Sequence, residues 1–239
     1  MRRSDTVRGR ADRLRIGPWR GDPRTALVSP IPGEPPSSDA IERTIAELVG
    51  RGCTSILTPA LSVSEQTVFL EHGFCVRERL HLLGHDLRRL PGPSAPGIRL
   101  RRGRSDDLGP VLDLDGLAFD GFWRFDRDGL EDARRATPRS RFRVAIADRR
   151  VVGYHVTGLS GRLGYLQRLA VHPEAQGRGI GTALIGDSLS WCARRGAASV
   201  LVNTQESNAG ALRLYRRLGF RDEPTGLAVL SLSIGEDGA

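Results

Sequence analysis

Apolar and polar positions alternate with the period of β-strands over the middle of the chain. Three runs, RFRVAIAD, VVGYHVTGL and LGYLQRLAV, are rich in β-branched and aromatic residues and are separated by the polar turns DRR and SGR, so they predict three successive strands. Ahead of them, GIRLRRGR (97–104) predicts another strand, and SDD (105–107) predicts the start of a helix towards Leu117. The acidic and aromatic stretch DGFWRFDRD follows, and a further helix is expected to about Arg135.

Beyond the third strand, helical and strand-like segments alternate. The glycine-rich turn QGRGIG precedes an amphipathic segment that predicts a helix to Arg195, followed by a strand (ASVLVNT), a helix (NAGALRLYRRLG) and a last strand (GLAVLSLSI). Strands that meander first and are joined through helices later predict a mixed α/β sheet.

Proline and glycine concentrate in RRLPGPSAPG (88–97), a run with almost no side chain to bury. A boundary there divides the 239 residues into two parts of unequal size. We therefore expect a smaller N-terminal α/β domain at residues 1–90, a linker at 91–97 and a larger domain at 98–239.

A faint internal repeat relates the two parts. RGCTSILT (51–58) resembles RGAASVLV (195–202), and FLEHGF (69–74) resembles YRRLGF (215–220) at a similar distance further along. The first copy has no counterpart of QGRGIG. The first part is therefore predicted to be a degenerate copy of the end of the second, which packs against the second or shapes its site.

The chain carries a formal net charge of +8, which could indicate nucleic-acid binding. However, all 36 basic residues are Arg and none is Lys, a bias that a genome rich in G and C produces by itself. We therefore expect no specific nucleic-acid partner.

Cysteine and histidine positions do not suggest a metal site. Cys53, Cys75 and Cys192 lack metal-type spacing and are interpreted as reduced thiols, and His81 and His85 are four apart on a strand-like segment. No stretch is apolar enough to span a bilayer, and the basic N-terminus lacks a signal-peptide core. The expectation is a cytoplasmic monomer or homodimer without metal or membrane contact.

The glycine turn itself indicates an anion site. Glycine allows positive φ and close approach of a ligand, and a turn entering a helix exposes unpaired N–H groups at the positive end of the helix dipole. Such a site suits phosphate. QGRGIG fits neither GxGxxG nor a nucleotide P-loop, and helix–strand packing alone is a competing explanation for its glycines.

Two segments together resemble the GNAT superfamily of acetyl-CoA-dependent N-acetyltransferases. LAVHPEAQGRGIGTALI is similar to the pyrophosphate loop Q/R-x-x-G-x-G/A of that family at Gln176, Gly179 and Gly181. NTQESNAGALRLYRRLGF is similar to its N-x-x-A-x-x-L-Y-x-x-x-G-F segment, with matches at Asn208, Ala211, Leu214, Tyr215, Gly219 and Phe220. The resemblance covers roughly residues 97–234 and implies the GNAT fold, a mostly antiparallel sheet splayed at the cofactor site.

The resemblance implies acetyl-CoA as cosubstrate and assigns residues to it. The backbone of Gln176, Gly177, Arg178, Gly179, Ile180, Gly181 and Thr182 would hold the pyrophosphate, with added charge from Arg178. The strand edge at Leu169, Ala170 and Val171 would pair with the pantetheine amides, and Asn208 and Ala211, on the following helix, would meet the pantetheine arm.

The resemblance also implies that Tyr215 is catalytic and donates a proton to the departing thiolate. A phenol with an unperturbed pKa of about 10 suits this task. A core aromatic in a helical stripe with Ala211 and Gly219 is the alternative explanation of Tyr215 from the periodicity alone.

The general base is not identified by the sequence. Some GNAT members have a glutamate early in the strand before the loop, where GYLQR offers Tyr165 and Gln167. Glu206 and His155 are candidates, and a water chain or an amine that arrives neutral is equally compatible.

An acceptor site is expected at DLDGLAFDGFWRFDRD (113–128). Asp115, Asp120 and Asp126 there lie close to aromatic residues, and carboxylates beside aromatic rings suit a cationic amine. An ordinary acidic helix edge with buried rings is the alternative. Phe122, Trp123, Asp126 and Gln167 are the expected acceptor-binding residues.

The expected function is transfer of an acetyl group from acetyl-CoA to a primary amine of a small molecule or protein, by direct attack. Mycothiol synthases also join a degenerate GNAT copy to an active one, so an amine of a small-thiol pathway is an alternative acceptor. A second alternative is a sensor or interaction module that binds acetyl-CoA without turnover.

Overall fold

The structure is a computed structural model that describes residues 14–31, 33, 35–92 and 97–234. The chain divides into two compact units: one comprises the residues up to His81 and those from Pro224 onward, and the other is Leu82–Glu223. The strands are β1 (Leu14–Trp19), β2 (Asp22–Pro30), β3 (Ser55–Leu57), β4 (Cys75–His85), β5 (Arg99–Arg102), β6 (Arg139–Ala147), β7 (Arg150–Ser160), β8 (Leu163–Val171), β9 (Ser199–Gln205), β10 (Arg221–Asp222) and β11 (Leu227–Ser233). The α-helices are α1 (Ser38–Gly50), α2 (Val63–Glu71), α3 (Leu108–Ala118), α4 (Arg127–Arg135), α5 (Ile180–Ala193) and α6 (Ala209–Arg217), with single 3₁₀ turns at Ser105–Asp107 and Pro173–Ala175.

The first unit is a small sheet covered by α1 and α2. Its strands lie in the order β1, β2, β3, β11 and β4, and β2 runs parallel to β3 while the other pairs are antiparallel. Ile41 of α1, Ile56 of β3, Phe69 of α2 and Leu230 of β11 are buried in one core. Residues near both ends of the described chain therefore contribute to this core.

The division of the chain differs from the predicted domains. β11, expected in the larger domain at 98–239, pairs with β3 and with β4 up to Leu80, so it belongs to the first unit. The second unit begins at Leu82, so the predicted linker (91–97) lies within it, and residues 93–96 of that linker are outside the described residues. The apolar pattern of β11 indicates a strand, but it carries no information about which strands will pair with it.

The second unit contains the sheet order β9, β8, β7, β6 and β5. β5 to β8 are antiparallel, β9 is parallel to β8, and β10 pairs with Leu83 and Gly84 at the end of β4. The three strands expected from the alternating pattern are confirmed as β6, β7 and β8. The expected mixed, mostly antiparallel sheet flanked by helices is confirmed as well.

Residues that alternate along β7 show which helices cover each face of this sheet. Tyr154 and Val156 pack in a core with α3 and α4, whereas the intervening His155 and the next residue, Thr157, hydrogen-bond to α5. Since neighbouring side chains on a strand point to opposite faces, α3 and α4 lie on one face and α5 on the other.

The two segments of the suggested repeat contain similar local structure. β3 and α2 precede Gly73, and β9 and α6 precede Gly219, and both glycines have positive φ of 82° and 95°. In each segment an aromatic helix residue contacts a Phe five positions later: the ring centroids are 5.1 Å apart for Phe69–Phe74 and 5.4 Å for Tyr215–Phe220. That the first unit is a degenerate copy stays a prediction.

Candidate cofactor and acceptor site

The parallel strands β8 and β9 separate part-way along their length. They pair only from Leu163↔Ser199 to Tyr165↔Leu201, although β8 continues to Val171 and β9 to Gln205. On its other side β8 stays paired with β7 as far as Val171. Beyond Tyr165, the edge of β8 that faces away from β7 pairs with no other strand among the described residues, and this edge includes Leu169, Ala170 and Val171.

The glycine turn leads from the end of β8 into α5. Gly177 and Gly179 have φ of 75° and 78°, in the left-handed region that glycine favours, and Gly179 is the N-cap of α5. Among the residues that the structure describes, none accepts a hydrogen bond from the N–H groups of Gly179, Ile180, Gly181 or Thr182. These donors and the exposed Arg178 make this helix terminus suitable for an anion.

Gly181 lies in the first turn of α5, close to two neighbouring elements. A Cβ at this position would lie 2.9 Å from Cδ2 of Leu214 on α6 and 3.9 Å from Cγ2 of Val171 on β8. The first turn of α5 therefore approaches both the open edge of β8 and the helix that follows β9. Gln176, just before the turn, holds it to β8 by donating from Nε2 to the Val171 carbonyl, at 3.4 Å.

Asn208 begins α6, as the sequence predicts. Its Oδ1 accepts a hydrogen bond from the N–H of Ala211, at 3.0 Å, so the side chain caps the helix. The role of Asn208 and Ala211 towards pantetheine stays a prediction.

Tyr215 is buried on α6, with 5% of its surface exposed. Its ring packs against Phe220, and Phe220 packs in turn against His85 with ring centroids 5.0 Å apart. Within the described part of the chain no residue hydrogen-bonds to the Tyr215 hydroxyl, and burial raises the pKa of Tyr215 above its usual value. The hydroxyl thus stays protonated at neutral pH and is available as a donor.

A β-bulge in β8 changes the direction of its side chains. Thr157 of β7 pairs with Leu166 and Val156 pairs with Arg168, so Gln167 is an extra residue between them. A bulge of this kind re-aims side chains and is frequent near active sites. It turns Gln167 towards Thr137, between α4 and β6, on the face that Arg168 also occupies.

Arg168 and Asp115 form a buried ion pair on that face. Nε and Nη2 of Arg168 donate to the two carboxylate oxygens at 2.8 and 2.6 Å, and Asp115 also accepts from the Tyr154 hydroxyl and the N–H of Phe125. The guanidinium lies over the ring of Phe119, 3.4 Å from its centroid, and donates to the Trp123 carbonyl. This network holds the segment 119–125. The sequence does not predict the network, because Asp115 and Arg168 are 53 positions apart.

The acidic residues of that segment are engaged in local structure. Asp115 is fully buried in the ion pair and does not face an acceptor, contrary to the expectation from the sequence. Oδ1 of Asp120 accepts from the N–H groups of Phe122 and Trp123 at 3.1 Å each, and Oδ1 of Asp126 caps α4 through the N–H of Gly129 at 2.7 Å. Phe122 and Trp123 contact each other edge to face and are partly exposed.

The two candidate bases have different environments. His155 is fully buried, and its nitrogens contact Asp187 Oδ2 at 3.1 Å and Thr157 Oγ1 at 2.9 Å. Burial lowers the pKa of His155, and because both nitrogens are occupied it has a structural role. Burial alone would raise the pKa of Asp187, but hydrogen bonds from Arg141 and His155 outweigh it and lower that pKa. Glu206 is exposed in the turn before α6.

His85 is also structural: its Nε2 lies 3.2 Å from the Leu218 carbonyl, and its Nδ1 accepts from the N–H of Leu87. No group of three or more His, Cys, Asp or Glu within the described ranges is placed to bind a metal ion. Nor does any helix in those ranges combine the length and apolar character needed to cross a bilayer.

The open edge of β8, the glycine turn and the buried Tyr215 all belong to the unit Leu82–Glu223. Residues 110–220 match the model of the acetyltransferase (GNAT) family. Residues 110–220 are therefore a GNAT acetyltransferase domain, as the two motifs predict.

Individual relatives agree with this assignment. Mycothiol acetyltransferase of Thermobispora bispora is 33% identical over 150 residues, which are 55% of this chain and 49% of that protein. The mycothiol acetyltransferase of Rhodococcus jostii is 29% identical over 208 residues, 78% of this chain and 68% of that protein. A tandem GNAT protein from the clavulanic acid biosynthesis pathway has a similar fold, with a TM-score of 0.72 at 17% identity over 94% of this chain and 79% of that one. The chain spans about half the length of the first of these relatives.

GNAT proteins use acetyl-CoA as cosubstrate, and the residues present fit it. Among the described residues the N–H groups at the start of α5 have no acceptor, which suits a pyrophosphate, and the edge of β8 beyond Tyr165 has no partner strand, which suits the amides of a pantetheine arm.

Proposed function

We propose that the protein transfers the acetyl group of acetyl-CoA to the primary amine of a small molecule or peptide. The observation that carries this proposal is the separation of β8 from β9 next to the N-terminus of α5. A strand edge without a partner can pair with an extended amide chain, and the helix terminus can bind the phosphates at the end of that chain.

In this reaction acetyl-CoA supplies a thioester that an amine can attack directly. The backbone from Gln176 to Thr182 binds the phosphates, and the β8 edge at Leu169–Val171 orients the arm. The neutral amine forms the new C–N bond, and the C–S bond breaks with its electron pair on sulfur. The Tyr215 hydroxyl gives its proton to that sulfur, and the resulting phenolate regains a proton from water. The nitrogen loses its extra proton to water, directly or through a chain of waters.

The segment 119–126 with Phe122, Trp123 and Asp126, together with Gln167, is the proposed acceptor site. It lies on the face of the sheet that α3 and α4 cover, and the Arg168–Asp115 pair fixes its backbone. An amine precursor of a small thiol is a specific candidate acceptor, because both reported relatives are mycothiol acetyltransferases.

The test is to measure release of free thiol from acetyl-CoA by the purified protein across a library of primary amines that includes aminosugars, polyamines and peptide N-termini. Amine-dependent thiol release supports the proposal. Tight binding of acetyl-CoA without release for any amine would instead support a sensor or interaction module.

Substitution of Gly179 by Val is expected to weaken binding of acetyl-CoA roughly 10- to 100-fold, the effect of losing one hydrogen bond to a charged group. Gly179 has φ of 78°, which a β-branched residue does not readily adopt, so the N–H groups after it would be displaced. Calorimetric titration with acetyl-CoA measures the change.

Gly196→Val is the matched control for this prediction. Gly196 has nearly the same φ, 77°, and follows the other end of α5, with no atom within 4 Å of an added Cβ. It should lower thermal stability to a similar degree without changing the affinity. Unchanged affinity in a folded Gly179→Val protein would contradict the assignment of the turn.

A further inference from the structure

The hydroxyl of Thr204 on β9 has no hydrogen-bond partner in the part of the chain that the structure describes, although only 7% of this residue is exposed. Other buried hydroxyls are paired: Thr58 donates to the Pro59 carbonyl, and Thr157 is bonded to Ser188. Because buried polar groups are nearly always paired in folded proteins, an unpaired hydroxyl calls for an explanation.

The Thr204 oxygen is not enclosed by protein. Within the described ranges, the fully enclosed side-chain atoms without a partner are Nε of Arg143 and Oε1 of Gln167. The small exposed part of Thr204 therefore includes its oxygen. The same holds for Tyr215, which is 5% exposed and whose hydroxyl is neither paired nor enclosed among the described residues. Each of these two buried residues thus leaves its hydroxyl accessible to a ligand.

Thr204 and Tyr215 lie on the same face of the sheet. Val200 and Val202 of β9 pack in one core with Tyr215 of α6, and side chains two positions apart on a strand point to the same face, so Thr204 follows Val202 there. A helical side chain leans towards the N-terminus of its helix, and α6 begins shortly after β9 ends. The Tyr215 side chain therefore leans towards the end of β9 that carries Thr204.

Thr204 also lies where β9 has separated from β8. The last pair of these strands is Tyr165↔Leu201, and Thr204 is three positions further along β9. The gap between the diverging strands, proposed above for the arm of acetyl-CoA, is thus next to this hydroxyl.

We propose that the Thr204 hydroxyl donates a hydrogen bond to the sulfur of acetyl-CoA and stabilises the thiolate as it departs. This inference rests on the proposed acetyl transfer and adds a second donor to it, beside Tyr215. Thr204 transfers no proton: the electron pair of the broken C–S bond goes to sulfur, the proton comes from Tyr215, and the O–H bond of Thr204 stays intact.

This hydrogen bond favours the transition state over the bound thioester. The sulfur of a thioester is nearly neutral and accepts weakly, whereas a departing thiolate is charged and accepts strongly. A donor that is already in place where the charge develops needs no reorganisation during the reaction. A β-branched threonine suits this role because its χ1 angle is restricted on a strand.

Thr204→Val tests the proposal because valine has nearly the same shape without the hydroxyl. We expect kcat to fall roughly 10- to 100-fold, the effect of losing one hydrogen bond to a charged group, while the affinity for acetyl-CoA changes little. The variant should keep its thermal stability, since the hydroxyl that it removes has no partner among the described residues. Thr204→Ser retains the donor and should restore most of kcat.

A second measurement requires neither an amine nor turnover. The thiol of CoA bound to the protein is titrated by the ultraviolet absorbance of its thiolate, with desulfo-CoA, which lacks this sulfur, as the blank. A donor beside the sulfur lowers the pKa of the thiol because it favours the charged form. Thr204→Val should therefore reduce the ratio of thiolate to thiol in bound CoA about tenfold at a given pH.

Thr58→Val is the matched control. Thr58 is buried in the first unit, where its Oγ1 donates to the Pro59 carbonyl and accepts from the N–H of Leu230, at 2.9 Å each. Its substitution should lower thermal stability and leave both kcat and the titration of bound CoA unchanged.

These measurements separate failure of this inference from failure of the proposed reaction. If no amine is acetylated but Thr204→Val still lowers the thiolate fraction of bound CoA, the reaction is wrong and the hydrogen bond to sulfur stands. If Thr204→Val instead weakens binding of CoA and desulfo-CoA equally, with parental kcat, Thr204 contacts another part of the arm and the proposal is wrong. An unchanged thiolate fraction in Thr204→Val, or failure of CoA to bind the parent protein, would likewise overturn it.

Discussion

Replacement of Tyr215 by Phe is expected to lower kcat by about 10²- to 10⁴-fold, the range that general acid catalysis contributes. The substitution removes only the hydroxyl, which has no partner among the described residues, and keeps the ring that packs against Phe220. Phe69 makes the equivalent contact with Phe74 in the first unit, which shows that Phe is compatible with this helix geometry. Fold and affinity for acetyl-CoA should therefore be retained.

The kinetic pattern identifies the role of the hydroxyl. Because it is needed only as the C–S bond breaks, kcat and kcat/KM should fall together. Burial raises the pKa of Tyr215, so the phenol stays protonated and the parent protein should not lose this donor between about pH 7 and pH 9. Steady-state kinetics with a good acceptor measure both effects. Turnover equal to that of the parent protein would make Tyr215 a packing residue.

Replacement of Asp115 by Ala is expected to lower the free energy of unfolding by about 3–5 kcal/mol, because it leaves a buried Arg without its counter-ion. Arg168 would lose both carboxylate contacts, and the Tyr154 hydroxyl and the N–H of Phe125 would lose their acceptor. Urea unfolding measures the change. Since the same network holds the Trp123 carbonyl, the segment 119–126 should also become more susceptible to proteolysis.

Asp222→Ala is the matched control, because it breaks an exposed ion pair instead of a buried one. Asp222 accepts two hydrogen bonds from Arg216 at 3.0 Å each, but both side chains are about half exposed, and a surface pair of this kind contributes about 0–1 kcal/mol. A loss in Asp115→Ala no larger than that in Asp222→Ala would show that the buried pair does not stabilise the fold.

The sequence predicts those features of the site that depend on neighbouring residues. The positive φ of Gly177 and Gly179 and the cap at Asn208 follow from local turn and helix chemistry, so the motifs locate them correctly. The pattern of apolar and polar residues within β8 itself likewise predicts that it is a strand.

Features that depend on distant residues were not predictable in this way. The alternation in LGYLQRLAV indicates a strand but not the bulge at Gln167, which exists only in the register with β7. Asp115 looks like an acceptor-binding carboxylate because its neighbours are acidic and aromatic, whereas Arg168, which engages it, lies on another strand. The pairing of β11 with β3 and β4 also depends on residues that are distant in sequence, so the pattern of β11 alone does not predict it.

The position of β11 has a consequence for how the protein is made. Ala228 and Leu230 of β11 complete a core whose other members, such as Ile56 and Phe69, are synthesised much earlier. The second unit, Leu82–Glu223, is one continuous segment, so all of its strands and helices are synthesised before β11. In most proteins the N-terminal domain folds first during translation. Here the first unit cannot complete its core until β11 has been synthesised, so α1, β3 and α2 expose apolar surface while Leu82–Glu223 is being made, and a chaperone would bind them in that interval.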